Sequence, residues 1–383
     1  MKALIIAHDK NFVGGANRSL LMVIKGLREK YGIECDVILP GKGTMEEELK
    51  RNKFKCIISD YKNPFSVSKG DKFDLLRKIN VYFRFWREWI LGKKMASKLK
   101  NEKYDFVYTN TRFPVVGASI AKKLAIPHIT HIREFGSDEC FQGPWTPKTI
   151  YNCSDKVVLI SKALYNTMAS KTPSEKLIMI HNGISGDLGI ETHQLFPDKR
   201  FNMILTGRIV PDKGQIDAVK ALVKLKKMGV SEAKLYLAGS APETDRKYEN
   251  EIKQYVAEKG LNEDVIFLGE VNDMKAVRKN MDIELMCAIR ETFGRVTVEG
   301  MRNGLLVIGS NTGGTIEIIR DKENGLLYEQ GNVDSLSQIL YKVYQDVKFS
   351  RKVALNGYLF SQTSFTEENN VKQIYEAIRE TLS

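Results

Sequence analysis

A two-domain α/β fold, each half a doubly wound parallel sheet, is predicted by three features of this 383-residue chain. The chain is too long for one ordinary hydrophobic core, and chains of this size usually divide. Short apolar runs alternate with amphipathic stretches, the pattern of strand–helix–strand units. The alternation restarts near residue 200, so the pattern occurs twice. The expected boundaries are 1–195 and 196–365, with a terminal helix over 366–383 that returns to the first domain. Two such domains facing each other across a cleft would offer ligands the carboxyl ends of their strands.

In the first half, "KALIIAH" (2–8), "ECDVILP" (34–40), "FKCIIS" (54–59), "DFVYTN" (105–110), "PHITHI" (127–132) and "DKVVLIS" (155–161) read as strands. Residues 16–32 read as the first helix, with apolar positions 20, 21, 23, 24 and 27 on one face. The second half begins with a strand over 200–209 and a helix over 213–229. Strands over 233–240, 264–271, 282–288 and 304–310 follow, with helical segments between them. "GDLGIETHQLFPDK" (186–199) reads as the linker.

Composition narrows the function classes. Apolar residues make up 43% and charged residues 28%, which fits a globular protein. Met1-Lys2 runs straight into a strand, and no stretch reaches the roughly 18 apolar residues of a membrane span. Five cysteines without Cys-x-x-Cys or metal spacing predict reduced thiols and a cytoplasmic location. Residues 1–195 hold 32 Lys+Arg against 20 Asp+Glu, while 196–383 hold 27 of each. The first half is therefore expected to face an anionic partner. No nucleic-acid-binding module is present, so nucleic acid is not the expected one.

The residues after each strand carry the chemistry. Gly14-Gly15 before the first helix lets backbone N–H groups approach an anion. In "GRIVPDKGQ" (207–215), Arg208 and Lys213 flank a short loop entering a helix, a pair suited to a diphosphate. In "ETFGRVTVEG" (291–300), Gly294 permits close approach, and amides of residues 293–296 can donate to hydroxyl or phosphate oxygens. Glu291 can accept sugar hydroxyls, and Glu299 a ribose diol. Gly313-Gly314 in "SNTGGTIEII" reads as another anion turn.

In this order, "GGA" (14–16), "THIREF" (130–135), "HNGI" (181–184), "GRIVPDKG", "LAGS" (237–240), "FLGEV" (267–271), "ETFGRVTVEG" and "GSNTGGTIEII" (309–319) resemble the motifs of retaining glycosyltransferases. The family is the GT-B, family 4 group (glycosyl transferases group 1). The resemblance covers most of the chain. It implies two Rossmann-like domains, a nucleotide-sugar co-substrate with UDP as the default, and no metal or other cofactor. It implies that Arg208 and Lys213 hold the donor diphosphate, and that Glu299 binds the ribose. Glu291, bordered by Thr292, with the amides of Phe293 and Gly294, binds the donor sugar, and the Arg295 and Val296 amides face phosphate. It further places Glu270 and Val271 beside the base, Gly14 and Gly15 near the donor from the opposite domain, and His131 near the anomeric carbon. His131, Glu291, Arg208 and Lys213 are the catalytic candidates; Arg112, Arg133 and Glu134 are the acceptor-side ones. Where the family commonly has Gly, an apolar residue and Ala, this chain has Thr292, Arg295 and Gly300.

A basic aromatic segment occupies 73–103. Leu75, Leu76, Ile79, Phe83, Trp86 and Ile90 recur at helical spacing, with Tyr82, Phe85 and Trp89 widening the aromatic surface. Arg77, Lys78, Arg84, Arg87, Lys93, Lys94 and Lys98 add cations. Such a helix lies on an anionic membrane surface or packs its apolar side into the domain. The expected activity is hexosyl transfer to a lipid-linked saccharide or glycan acceptor for a surface polysaccharide, at the inner face of the plasma membrane. A nucleotide-sugar epimerase on the same scaffold is the alternative.

Overall fold

The structure is a computed structural model that describes residues 1–12, 14–62, 67–68, 74–136, 140–141, 143–184, 194–243 and 246–383. The chain divides into two units, Met1–Ser185 with Glu367–Ser383, and Gly186–Thr366. Residues 186–193 of the expected linker and residue 73 of the basic segment lie outside the described residues.

The first unit is built on a seven-stranded sheet. Its strands are β1 (Lys2–Ile6), β2 (Glu34–Leu39), β3 (Lys55–Ile58), β5 (Phe106–Asn110), β6 (His128–Ile132), β8 (Lys156–Leu159) and β9 (Leu177–Met179), in the order β3-β2-β1-β5-β6-β8-β9. All pairings are parallel. A two-residue antiparallel pair, β4 (Val67–Ser68) with β7 (Cys140–Phe141), stands apart and was not foreseen. β1, β2, β5 and β6 are buried along nearly their whole length, as parallel strands covered on both faces must be. The helix Gly14–Tyr31 packs Leu20, Val23, Ile24 and Leu27 into this core. The terminal helix Glu367–Leu382 adds Val371, Ile374 and Ile378 to the same cluster and stacks Tyr375 on Tyr31, ring centroids 3.8 Å apart.

The second unit holds six parallel strands, β10 (Phe201–Thr206), β11 (Ala233–Ala238), β12 (Val265–Gly269), β13 (Ile283–Met286), β14 (Leu306–Ser310) and β15 (Leu326–Tyr328). Their order is β12-β11-β10-β13-β14-β15. The three-residue β15 escaped the sequence reading, because three apolar residues are too few to show a period. The helix Gln215–Lys227 contributes Ala218, Val219, Leu222 and Leu225 to the core.

Both sheets reverse direction of winding once. In the first the switch falls between β1 and β5, in the second between β10 and β13. Chain order runs outward on one side of each switch and then restarts on the other. The two crossovers leave their loops splayed at the carboxyl ends, which opens a crevice there.

Candidate functional site

The second unit brings Arg208, Lys213 and the stretch from Glu291 to its switch point. Arg208 follows β10 directly, and Pro211–Lys213 forms one turn of 3-10 helix. Gly214 then takes a left-handed conformation, φ 68°, and a Cβ there would come within 2.2 Å of the Cys287 carbonyl oxygen. Only glycine allows this approach. The Ile289 N–H donates to the Asp212 carbonyl at 2.9 Å, so the loops after β10 and β13 are tied together. The result is an ion pair across 78 residues of chain: the Lys213 Nζ donates to Glu291 Oε2 at 2.5 Å. Arg208 is exposed and makes no ion pair among the described residues. A cation free to take an anion thus stands beside a cation already paired.

Gly313 and Gly314, the expected anion turn, lie against the backbone of the loop after β13. A Cβ at Gly313 would meet the Glu291 carbonyl oxygen at 2.2 Å, and one at Gly314 the Phe293 Cα at 2.6 Å. The Gly314 N–H donates to the Glu291 carbonyl at 2.7 Å. These glycines let the loop after β14 lie flat against the Glu291–Phe293 backbone and fix it. Thr292 is half-buried, and Phe293 points inward against Phe365, ring centroids 5.4 Å apart. Phe293 can therefore offer a ligand its backbone only.

Gly294 precedes the helix Arg295–Arg302, whose first turn holds Arg295 and Val296 and whose second holds Glu299. Glu299 accepts from Arg295 Nη2 at 3.4 Å and lies 3.6 Å from Arg278 Nη1. Arg278 is buried and donates its Nε to Glu284 Oε2 at 2.8 Å, deep inside β13. Arg278 and Glu284 were missed from the sequence. The available signal was Glu284, a carboxylate set between Ile283 and Leu285 in the run "DIELMCA" (282–288). Gly300 belongs to this arrangement, since a Cβ there would stand 2.9 Å from the Glu284 Cβ. The departure from the family's usual alanine thus makes room for a buried glutamate. Glu270 and Val271 follow the edge strand β12, two strands away from β10, with Glu270 exposed and Val271 half-buried.

The first unit holds the remaining candidates. Gly14 and Gly15 open the first helix, Gly14 with φ 79° and no atom within 4 Å of a Cβ placed on it. His131 ends up fully buried on β6, between Tyr108 and Arg133. The Tyr108 hydroxyl bonds its Nδ1, and the Arg133 Nη2 lies 3.2 Å from the same atom. A guanidinium only donates, so Nδ1 must accept. Burial first, and then the Arg133 charge, push the imidazole pKa well below its usual range, so the ring is neutral. Its single proton therefore sits on Nε2, and that buried nitrogen has no hydrogen-bond partner. A buried N–H without an acceptor is costly and points to a ligand oxygen. Arg133 is held by Asn110 Oδ1 at 2.6 Å and Asn182 Oδ1 at 2.5 Å. Tyr108, Asn110 and Asn182 were not singled out individually from the sequence, though Asn182 lies in the "HNGI" motif.

Arg112 donates its backbone N–H to Glu134 Oε1 at 2.7 Å and accepts from Trp145 Nε1 at 2.6 Å. Burial pushes the Glu134 carboxyl up from 4.5 to about 7, against the opposing pull of the Arg112 N–H and of the Arg112 and Arg133 charges. A carboxyl whose folded pKa is raised binds its proton more tightly when folded. Its contribution is favourable below the unfolded value and is lost as pH climbs through about 7. Thermal melts from pH 4.5 to 8 should show the wild type losing on the order of 1–3 kcal/mol relative to Glu134→Gln. Parallel traces for the two proteins would refute the shift.

Among the described residues, no group of three or more His, Cys, Asp and Glu could hold a metal ion, and no helix is long and apolar enough to cross a membrane.

Comparison with known proteins gives a consistent result. The family described as Glycosyltransferase Family 4 matches residues 13–187, and Glycosyl transferases group 1 matches residues 190–360. An uncharacterized glycosyltransferase of Methanocaldococcus jannaschii is 26% identical over 393 residues, covering 99% of each chain. The N-acetyl-alpha-D-glucosaminyl L-malate synthase of Bacillus anthracis is 25% identical, covering 92% of this chain and 97% of its own. The crystal structure of Anabaena HepE in complex with UDP superposes with a TM-score of 0.82 at 22% identity, over 99% of this chain and all of the other. The epimerase alternative finds no support among these proteins.

Proposed function

Because the chain belongs to the group 1 glycosyltransferases of family 4, a GT-B fold, we propose that it moves a hexose from a UDP-sugar to a hydroxyl of a lipid-linked or glycan acceptor, with retention of configuration and without a metal. The observation that carries this reading is the Lys213–Glu291 pair at the second switch point, with Arg208 beside it. A UDP-sugar presents a diphosphate next to a ring of hydroxyls. Lys213 and Arg208 supply cations for the first, and Glu291 an acceptor for the second. UDP is the nucleotide bound in the crystal structure of Anabaena HepE, which supports it as the default here.

The transfer breaks the bond from the anomeric carbon to the β-phosphate oxygen and forms one to the acceptor oxygen on the same face. The acceptor proton passes to the departing phosphate oxygen. Negative charge grows on the diphosphate as it leaves, and Arg208, Lys213 and the first turn of the Arg295–Arg302 helix stabilise it there. Glu299, anchored by Arg278 and Arg295, accepts the ribose hydroxyls. Neutral His131 cannot take a proton on Nε2, which already carries one. Its role is to donate that N–H to an oxygen of the acceptor and orient it. Arg112 and Glu134 serve the acceptor side.

The test is a panel of UDP-, GDP- and dTDP-sugars, with polyprenyl-diphosphate saccharides, glycans or L-malate as acceptor. Product on a lipid-linked or glycan acceptor from a UDP-sugar, abolished by Glu291→Ala, is the expected result. Product only from another nucleotide, or only on L-malate, overturns the donor or the acceptor assignment respectively.

A further inference from the structure

The helix Asp74–Leu99, 26 residues long, presents two unlike faces. Val81, Phe85, Gly92, Met95 and Ala96 are buried. At Gly92 a Cβ would come within 2.7 Å of the Ser119 Cβ, so this face is seated closely on the Val115–Leu124 helix. Phe85, read from the sequence as part of the outer aromatic surface, instead points inward beside Trp145. The opposite face is exposed among the described residues. Leu75, Leu76, Ile79, Phe83, Trp86 and Ile90 are between 51% and 72% exposed. At 3.6 residues per turn these six fall within an arc of about 100°. The stripe found in the sequence is therefore the outward face, not the packed one.

Charge completes the pattern. Past Ile90 the same arc continues as Lys93 and Lys94, both exposed, and Lys98 lies at its border. Arg87 lies at the same border and is paired with Glu88 and Asp60. The only acid between Leu75 and Leu99 is Glu88, which is buried. The first half of the chain carries the whole surplus of twelve positive charges. Contiguous exposed apolar surface of this kind marks an interaction site. A cationic rim without exposed acids fits lipid phosphates, and an exposed Trp fits the boundary between headgroups and acyl chains.

We propose that this face lies in the headgroup–acyl boundary of an anionic bilayer and holds the enzyme there, with Leu75 to Ile90 inserted and Lys93, Lys94 and Lys98 on the headgroups. The helix would lie along the surface, not across it. The claim rests on residues that play no part in the donor chemistry, so membrane docking and sugar transfer succeed or fail separately.

The test is co-sedimentation of the full chain with vesicles of phosphatidylcholine and phosphatidylglycerol, three parts to one. Partitioning should drop at least about tenfold on pure phosphatidylcholine, and by as much for Lys93→Glu with Lys94→Glu, since each basic residue near an anionic surface counts for about 1 kcal/mol. Phe83→Ser with Trp86→Ser should abolish it, while the melting temperature and transfer to a short soluble acceptor stay unchanged. Trp86 emission should shift to the blue on binding and be quenched by brominated acyl chains. Unchanged partitioning of the Phe83→Ser/Trp86→Ser variant would overturn the proposal, as would equal binding to neutral and anionic vesicles. So would a dimer that this variant dissociates while the wild type ignores vesicles, which would make the face an interface between two copies.

Discussion

Lys213→Met should lower kcat/KM for sugar transfer by about 10²–10³-fold, while leaving the fold intact. The side chain stands on a loop already fixed by backbone contacts, Gly214 against Cys287 and Ile289 to Asp212. Its removal therefore leaves the loop in place. Glu291 loses its partner but is only half-buried, so water can take over the freed oxygen. What disappears is a cation aimed at a diphosphate whose charge grows in the transition state. Arg208 remains and explains why activity is lowered and not abolished. Steady-state kinetics at several UDP-sugar concentrations check this. Most of the loss should fall on kcat, because the added charge exists only as the bond breaks. A loss below tenfold, or one confined to KM, would remove Lys213 from the leaving-group role.

Arg278→Met should destabilise the second unit by about 3–5 kcal/mol. The guanidinium is buried between Glu284 and Glu299, and Glu284 has no other charge partner in the described structure. Burial raises the Glu284 carboxyl, and Arg278 is the charge that opposes that rise. Removing one member of a buried pair leaves the other charge uncompensated, which costs more than the pair is worth. Arg278→Met with Glu284→Met should therefore recover most of the loss, since two apolar side chains replace two charges. Calorimetry should show the transition of this unit lowered by roughly 10 °C in the single variant and by much less in the double. Affinity for UDP should fall in both, because Glu299 loses the arginine that orients it. A single variant melting within 2 °C of wild type would show that the pair is solvated after all.

Most of the architecture was legible in the sequence because most of the strands are buried on both faces. They read as continuous apolar runs, and all eleven runs quoted above contain a strand. The failures are local and have physical causes. β15 spans three residues, below the length at which a run is distinguishable. Between the helices Val347–Thr363 and Glu367–Leu382 the chain turns at Ser364, which is extended, and Phe365, which is left-handed. Phe85 and the six-residue stripe were grouped together, since spacing defines a face but not the side it is turned to.

The site was legible as separate residues and illegible as pairs. Lys213 and Glu291 each stood after a strand, but their meeting depends on β10 lying next to β13, which only the sheet order establishes. The same holds for His131. Its place inside the run "PHITHI" was readable, whereas the tautomer depends on Tyr108 one strand away and on Arg133 curling back. What Gly313-Gly314 faces was hidden for a related reason. A glycine pair before a helix admits either a ligand or another backbone, and here the Glu291 backbone takes the place.

The most direct measurement is proton NMR of the reaction in one tube, with an α-linked UDP-hexose, a lipid-linked saccharide acceptor and EDTA. The account predicts UDP appearing in step with a new α-glycoside, seen by the small coupling of its anomeric proton, and neither in Lys213→Met on the same timescale. A β-glycoside, or UDP release that requires an added divalent metal, would contradict the same-face mechanism built on Arg208, Lys213 and Glu291.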